Sequence, residues 1–293
     1  MSDQEPLAVL DVGSNTIRLL VARLHDGTLE PVLDTSEFVR LGREVDRTGR
    51  LQEDREQAAV RAIGELALQA RAHGASGIQA IATSAVRDAE NGPEFVQRVR
   101  DATGVDVQII SGEREAELTY RGATLGLDVG HGVIVCDLGG GSAELISADA
   151  SGIRWARSEK LGSGRLTERF VQHDPPQSDE LEAVASFVRE TLQRLPEAHC
   201  ELAVFTGGTA TNVALLAGSQ DRVAHLSMAQ VEEVVHTLAT LPATEIVQRY
   251  GVQEERAQVL PAGAAAVHAI AGFYAARDIV ITRHGIREGT LLA

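Results

Sequence analysis

Leu10-Asp11-Val12-Gly13-Ser14-Asn15-Thr16-Ile17-Arg18-Leu19-Leu20 returns 126 residues later as Cys136-Asp137-Leu138-Gly139-Gly140-Gly141-Ser142-Ala143-Glu144-Leu145-Ile146. Each copy is an apolar run, then Asp-x-Gly, a turn of small residues and a second apolar run. That pattern predicts a strand, a tight turn and a returning strand. Small residues bring few Cβ atoms to the turn, so phosphate oxygens can approach its backbone N–H groups closely. The acid before each turn can hold a hard cation or a water. Two such hairpins in two similar halves predict a cleft that grips a phosphate-bearing substrate from both sides.

Outward from the first copy, residues 7–13, 16–24 and 29–40 read as three strands, with Asp26-Gly27 turning between the second and third. In residues 52–73, Ala58, Ala59, Ala62, Ile63, Leu66 and Ala70 recur at helical spacing, and Gly74 closes the helix. A strand follows at Ile78–Thr83, a helix at Pro93–Thr103, a strand at Val107–Ile110 and a helix from Gly112 to about Leu125. The second half repeats the order. Strands read at 132–138, 142–149 and 153–158, a helix at 178–195, a strand at 201–206, and a helix opening at Gly207-Gly208. Further helices read at 228–241, 243–250 and 253–274, then a strand at 279–282 and a short helix from Arg287. Ile81-Ala82-Thr83-Ser84-Ala85 is echoed by Val204-Phe205-Thr206-Gly207-Gly208, each placing Thr and small residues where a strand gives way to a loop.

Three strands followed by alternating helix and strand is a mixed α/β pattern. The duplicated unit is similar to the ribonuclease-H-like halves of the actin, sugar kinase and Hsp70 superfamily, which bind phosphoryl compounds between two such halves. The expected fold is therefore two ribonuclease-H-like domains with a central cleft. The boundary falls in the glycine-rich stretch 122–132, giving domains 1–125 and 126–293, with the terminal helix able to pack back across the cleft.

Composition narrows the function. The 293 residues suffice for two domains, and 44% hydrophobic with 24% charged residues is ordinary for a globular protein. No apolar run approaches the ~20 residues that span a bilayer, and the N-terminus has no signal-like segment, so a cytoplasmic location is expected. A net charge of −15 argues against general nucleic-acid or anionic-membrane binding, and 3% aromatics against base-stacking platforms. Cys136 and Cys200 form neither a disulfide framework nor a zinc site, and Cys136 reads as a buried, inert thiol. Lys160 is the sole lysine, so 26 of the 27 basic residues are arginines. That suits bidentate phosphate contacts, and equally a genome-wide codon bias.

In Ser111-Gly112-Glu113-Arg114-Glu115-Ala116-Glu117, Glu113 and Glu117 lie four apart on one helix face while Glu115 points the other way. An acidic first turn also serves helix capping. Five segments together resemble the exopolyphosphatase and guanosine pentaphosphate phosphohydrolase family: Asp11–Thr16, Thr83–Asn91, Ile109–Ala116, Asp137–Glu144 and Arg287–Leu291. The resemblance implies Glu115 as the general base for the attacking water, although Arg114 stands where relatives often carry another acid. It implies Asp137 and Glu144 as ligands of Mg2+ (or Mn2+), Asp11 as the first hairpin's acid in the same metal shell, and Arg87 as a phosphate contact. The N–H groups of Gly13, Ser14, Asn15 and Thr16 and of Gly139, Gly140, Gly141 and Ser142 would hold phosphates. Gly207-Gly208-Thr209 opens a helix whose N-terminus could take another, or is a plain strand-to-helix turn. Arg18, His284 and the Lys160–Arg165 loop could face a substrate or serve structure.

The implied reaction is release of terminal orthophosphate from inorganic polyphosphate. The alternatives are hydrolysis of guanosine pentaphosphate, or a non-catalytic sensor of guanosine tetra- and pentaphosphate. A kinase or ATPase of the wider superfamily fits the Glu115 motif poorly. Longer relatives carry a helical extension after these two domains, so weaker processivity and shorter substrates are expected here. Many relatives are dimers, so the resemblance allows a homodimer.

Overall fold

The computed structural model describes residues 5–25 and 28–293. The Asp26-Gly27 turn lies outside the described residues. In chain order the first half forms β1 (Leu7–Val12), β2 (Thr16–His25), β3 (Thr28–Phe38), α1 (Val45–Thr48), α2 (Glu53–Ala72), β4 (Gly77–Ala82), α3 (Ser84–Arg87), α4 (Gly92–Thr103), β5 (Val107–Ile109) and α5 (Gly112–Ala123). The second half forms β6 (Val133–Leu138), β7 (Ala143–Asp149), β8 (Gly152–Glu159), α6 (Ser163–Phe170), α7 (Ser178–Leu192), β9 (Leu202–Thr206), α8 (Gly207–Leu216) and β10 (Val223–Leu226). It closes with α9 (Met228–Thr240), α10 (Ala243–Tyr250), α11 (Glu254–Ala257), α12 (Leu260–Phe273), β11 (Asp278–Thr282) and α13 (Ile286–Leu291).

The chain divides into two compact units, one running up to Gly122 and regaining Ile286–Ala293, the other Ala123–Gly285. In the first, the sheet order is β3-β2-β1-β4-β5, with β1 antiparallel to β2 and parallel to β4. β1 is buried along nearly its whole length, because both faces of this central strand are covered. Ala8, Leu10 and Val12 pack with Ile63 and Leu66 of α2. Val9 points the other way and packs with Leu20, Ala22 and Leu291 of α13. β3 is an edge strand, which accommodates Pro31, and the register with β2 shifts nearby at Val21/Ala22.

The second unit repeats the meander and crossovers in the order β10-β11-β9-β6-β7-β8. Both units are thus mixed α/β with the ribonuclease-H-like arrangement: three antiparallel strands, then two strands parallel to the first, to which the second unit adds β10 antiparallel at its edge. α12 is buried almost all round, as its Ala- and Gly-rich sequence requires of a central helix.

Several boundaries differ from the sequence reading. The expected helix 253–274 is two helices, α11 and α12, with Pro261 in the first turn of α12 where its missing N–H is not needed. α1, α3 and β10, each four residues, were not expected, and the Lys160–Arg165 loop is replaced from Ser163 on by α6. The helix expected over 178–195 stops at Leu192, and strand 29–40 stops at Phe38. Among the described residues no helix is long and apolar enough to cross a membrane.

Candidate active site

The two hairpin turns are built alike. Gly13 N–H donates to Thr16 O at 3.2 Å and Gly139 N–H to Ser142 O at 3.0 Å. In the first unit, the segment after β3 straps the turn from behind. Val39 and Arg40 N–H donate to Asn15 O at 2.8 and 2.9 Å, and Gly42 N–H to Ser14 O at 2.7 Å. A Cβ on Gly42 would lie 3.0 Å from Ser14 Cβ and 3.1 Å from Ala85 Cβ, so the approach is close. In the second unit the start of α6 does the same. Ser163 and Arg165 N–H donate to Gly139 O and Gly140 O at 2.9 and 3.2 Å, and Arg165 Nε to Gly141 O at 3.0 Å. A Cβ on Gly162 would lie 2.3 Å from Gly141 C.

These straps thus satisfy the turn carbonyls of Ser14, Asn15, Gly139, Gly140 and Gly141. The Gly13 and Gly139 N–H groups close the turns and are engaged within them. Sequence reading missed the first strap, yet a signal existed: Arg40-Leu41-Gly42 after β3 matches Lys160-Leu161-Gly162 after β8.

The Thr83–Asn91 motif stands next to the first turn. Thr83 N–H donates to Val12 O at 3.4 Å, and Ser84 Oγ lies 3.1 Å from Ser14 Oγ. α3 follows, just as α8 follows Thr206 in the echoed segment. Its last residue, Arg87, reaches α5: Nη1 donates to Glu115 Oε2 at 2.7 Å and to Ile110 O at 3.3 Å. Glu115 is 7% exposed, whereas Glu113 and Glu117 are exposed on the opposite face. Ser111 caps the helix, its Oγ accepting from Arg114 N–H at 3.2 Å, and Arg114 pairs with Glu117 at 2.7 Å. Its own backbone N–H, and then the Ser111 hydroxyl, lower the pKa of Glu113. Behind the motif, Asn91 bonds both Leu51 N–H and Leu51 O and donates to buried Glu56. Burial raises the pKa of Glu56 against the opposing pull of Arg98.

In the second unit Asp137 and Glu144 are direct partners across β6 and β7, so their side chains share a face. Ser142 and Ser158 hydroxyls donate to Glu144 Oε1 at 2.8 and 2.9 Å. Gly207, with φ +90°, makes room for Asp137, since a Cβ there would sit 2.5 Å from Asp137 Oδ1. Adjacent like charges favour a cation, and two hard carboxylates suit Mg2+, which keeps waters and substrate oxygens in its remaining positions. Among the described residues no group of three His, Cys, Asp or Glu side chains forms a ready metal cage.

Asp11 occupies the same ladder position in the first unit, but its partner across the strands is Arg18, where the second unit has Glu144. Asp11 also adds to the charge acting on Arg287. Burial would push the Arg287 pKa down, but Glu288, Asp34 and Asp11 together raise it. Arg287 donates to Asp34 Oδ1 at 2.6 Å and Leu19 O at 3.2 Å, so the closing motif anchors α13 to the first sheet.

Thr209 is turned into packing, donating to Ser163 Oγ at 3.2 Å, with Gly263 of α12 tight against its methyl. His284 is half-buried and its carbonyl accepts from Thr206 Oγ1 at 2.7 Å. Cys136 is fully buried, and desolvation, with Asp137 and Glu144 nearby, raises its thiol pKa. Its burial disfavours the reactive thiolate.

Residues 20–293 match the Ppx/GppA phosphatase family model. Exopolyphosphatase 2 of Mycobacterium tuberculosis is 33% identical over 98% of both chains. Exopolyphosphatase 1 of Mycobacterium bovis is 31% identical over 98% of this chain and 87% of its own. The crystal structure of the type II variant of the Aquifex aeolicus Ppx/GppA phosphatase superposes with a TM-score of 0.82 at 29% identity, covering 99% of each chain. With its five motifs in order on two ribonuclease-H-like units, this chain belongs to the Ppx/GppA phosphatase family.

Proposed function

We propose that the chain is an exopolyphosphatase, which releases orthophosphate from the end of inorganic polyphosphate. Water attacks the terminal phosphorus, the bridging P–O bond breaks, and the shortened chain leaves with the bond's electrons. Glu115 orients the water and takes its proton. The observation that carries this reading is Glu115 itself, a buried carboxylate in the first turn of α5, fixed 2.7 Å from an arginine on α3. Phosphoryl transfer is catalysed mainly by positioning and charge neutralisation, and this pair supplies one of each.

The N–H groups of Ser14, Asn15, Gly140 and Gly141 are assigned to phosphate oxygens, with Arg87 adding charge. The α8 N-terminus at Gly207-Gly208 is assigned to a further phosphate through its backbone; Thr209 contributes packing. Asp137 and Glu144 would hold Mg2+ (or Mn2+), which when bound neutralises phosphate charge. Asp11 is the weaker metal candidate, because the protein already sets Arg18 and Arg287 around it. The names of the mycobacterial relatives support polyphosphate as the substrate.

The test is phosphate release with Mg2+ from short-chain polyphosphate, long-chain polyphosphate and guanosine pentaphosphate in parallel, by wild type and Glu115→Ala. Polyphosphate hydrolysis that falls at least about 10²-fold in the variant is expected. More than about a tenth of the rate surviving would reject Glu115 as base. Release from the nucleotide alone would overturn the choice of substrate.

A further inference from the structure

Two assignments meet on Arg87 and compete for it. As a phosphate contact it must direct its guanidinium at substrate, yet Nη1 is engaged with Glu115 Oε2 at 2.7 Å and Ile110 O at 3.3 Å. A guanidinium has several donors but one positive charge. A carboxylate paired with it is favoured as the anion and is a poorer proton acceptor. A base acts best when its pKa lies near the working pH, so the pairing opposes the task given to Glu115.

The conflict resolves if the two states alternate. A terminal phosphate carries more charge than a carboxylate and matches the arginine fork at least as well. Arg87 ends a four-residue helix that begins at Ser84, and Ser84 Oγ is 3.1 Å from Ser14 Oγ in the first turn. Arg87 thus stands at the far end of the same short helix whose first residue meets the turn. Two further carboxylates share its charge from exposed positions. Asp88 is 3.6 Å from Nε with its side chain 63% exposed, and Glu113 is on the exposed face of α5.

We infer that Arg87 is a substrate-operated latch. In the empty enzyme it holds Glu115 in place as a weak base. The arriving terminal phosphate draws the guanidinium away, and Glu115 regains proton affinity only when a phosphorus is present to be attacked. This rests on the phosphohydrolase reading above.

The latch makes phosphate binding break an ion pair, which can be measured without turnover. Inorganic phosphate is titrated calorimetrically, in Mg2+ buffer, into wild type, Glu115→Ala, Arg87→Ala and the double variant. The latch requires Glu115→Ala to bind phosphate about tenfold more tightly than wild type, and requires most of that gain to vanish when Arg87 is already Ala. An equal gain in both backgrounds would mean only relief of like-charge repulsion and would overturn the latch, as would no gain. Glu115→Gln, closer in shape, must give the same sign, which guards against disturbance of α5 by the smaller residue. Absence of polyphosphate hydrolysis by wild type would sink the preceding proposal, while the binding cycle would still judge the latch on its own.

Discussion

Replacing Gly162 by Ala tests whether the straps position the phosphate turns. Gly162 has φ −63° and ψ 146°, a conformation alanine adopts freely, so the substitution carries no backbone penalty of its own. The added Cβ would lie 2.3 Å from Gly141 C and 2.4 Å from Gly140 C, where ordinary contact begins near 3.4 Å. Turn and strap must separate by roughly 1 Å, and neither contact is a flexible side-chain end. A misplacement of ~1 Å in a positioning element costs about 10²-fold in rate, and overpacking costs about 1–3 kcal/mol of stability. The assay is kcat/KM for phosphate release from polyphosphate, beside urea unfolding to show that the variant is folded under assay conditions. Gly164→Ala is the graded control, since its Cβ would come only to 3.1 Å from Gly140 O. A folded Gly162→Ala enzyme retaining more than about a third of wild-type activity would refute the strap argument.

Gly289→Ala should destabilise the protein by about 3 kcal/mol in chemical unfolding, because its Cβ would overlap Leu118 O on α5; a loss under ~1 kcal/mol would show that α13 can shift freely. Burial alone would raise the pKa of Glu180, but its bonds from His173, Gln177 N–H and Gln172 N–H bring it to about 2. Its contribution is therefore present above the ordinary value of 4.5 and is lost as pH falls toward 2, and Glu180→Gln should flatten the stability curve in that window. An unchanged slope would reject the assignment. Asp137→Ala and Glu144→Ala should raise the Mg2+ needed for half-maximal rate. Ser158→Ala, which removes a 2.9 Å bond to Glu144, should raise it about tenfold, and superimposable titrations would exclude these residues from the ion.

The strands and hairpins were legible because alternation and Asp-x-Gly turns are local. Leu10, Val12, Ile17 and Leu19 announce their buried face by spacing alone. The opposed directions of Glu115 and Glu113/Glu117 were likewise readable from helical periodicity. What escaped depends on partners distant in the chain. α6 opens with Ser163-Gly164, poor helix-forming material, and the start is fixed by Ser163 N–H docking on Gly139 O. β10 is four residues long and exists as an edge partner of β11. The Arg87–Glu115 pair joins residues 28 apart, with no local pattern to reveal it. Pro261 was visible, but whether it breaks a helix or begins one depends on which segment α12 packs against.

The return of Ile286–Ala293 to the first unit sets an order of manufacture. Chains emerging from a ribosome usually complete their N-terminal domain first. Here the Val9, Leu20 and Ala22 face waits for Leu291, and Leu19 O and Asp34 wait for Arg287, all made after the entire second unit. The later-encoded unit is contiguous and can be finished first, while the earlier-encoded one stays incomplete until α13 has been made. A nascent chain is thus denied its finished Arg87–Glu115 unit until synthesis reaches α13, and chains aborted after Gly285 would leave the first sheet with an uncovered apolar face for quality control to detect.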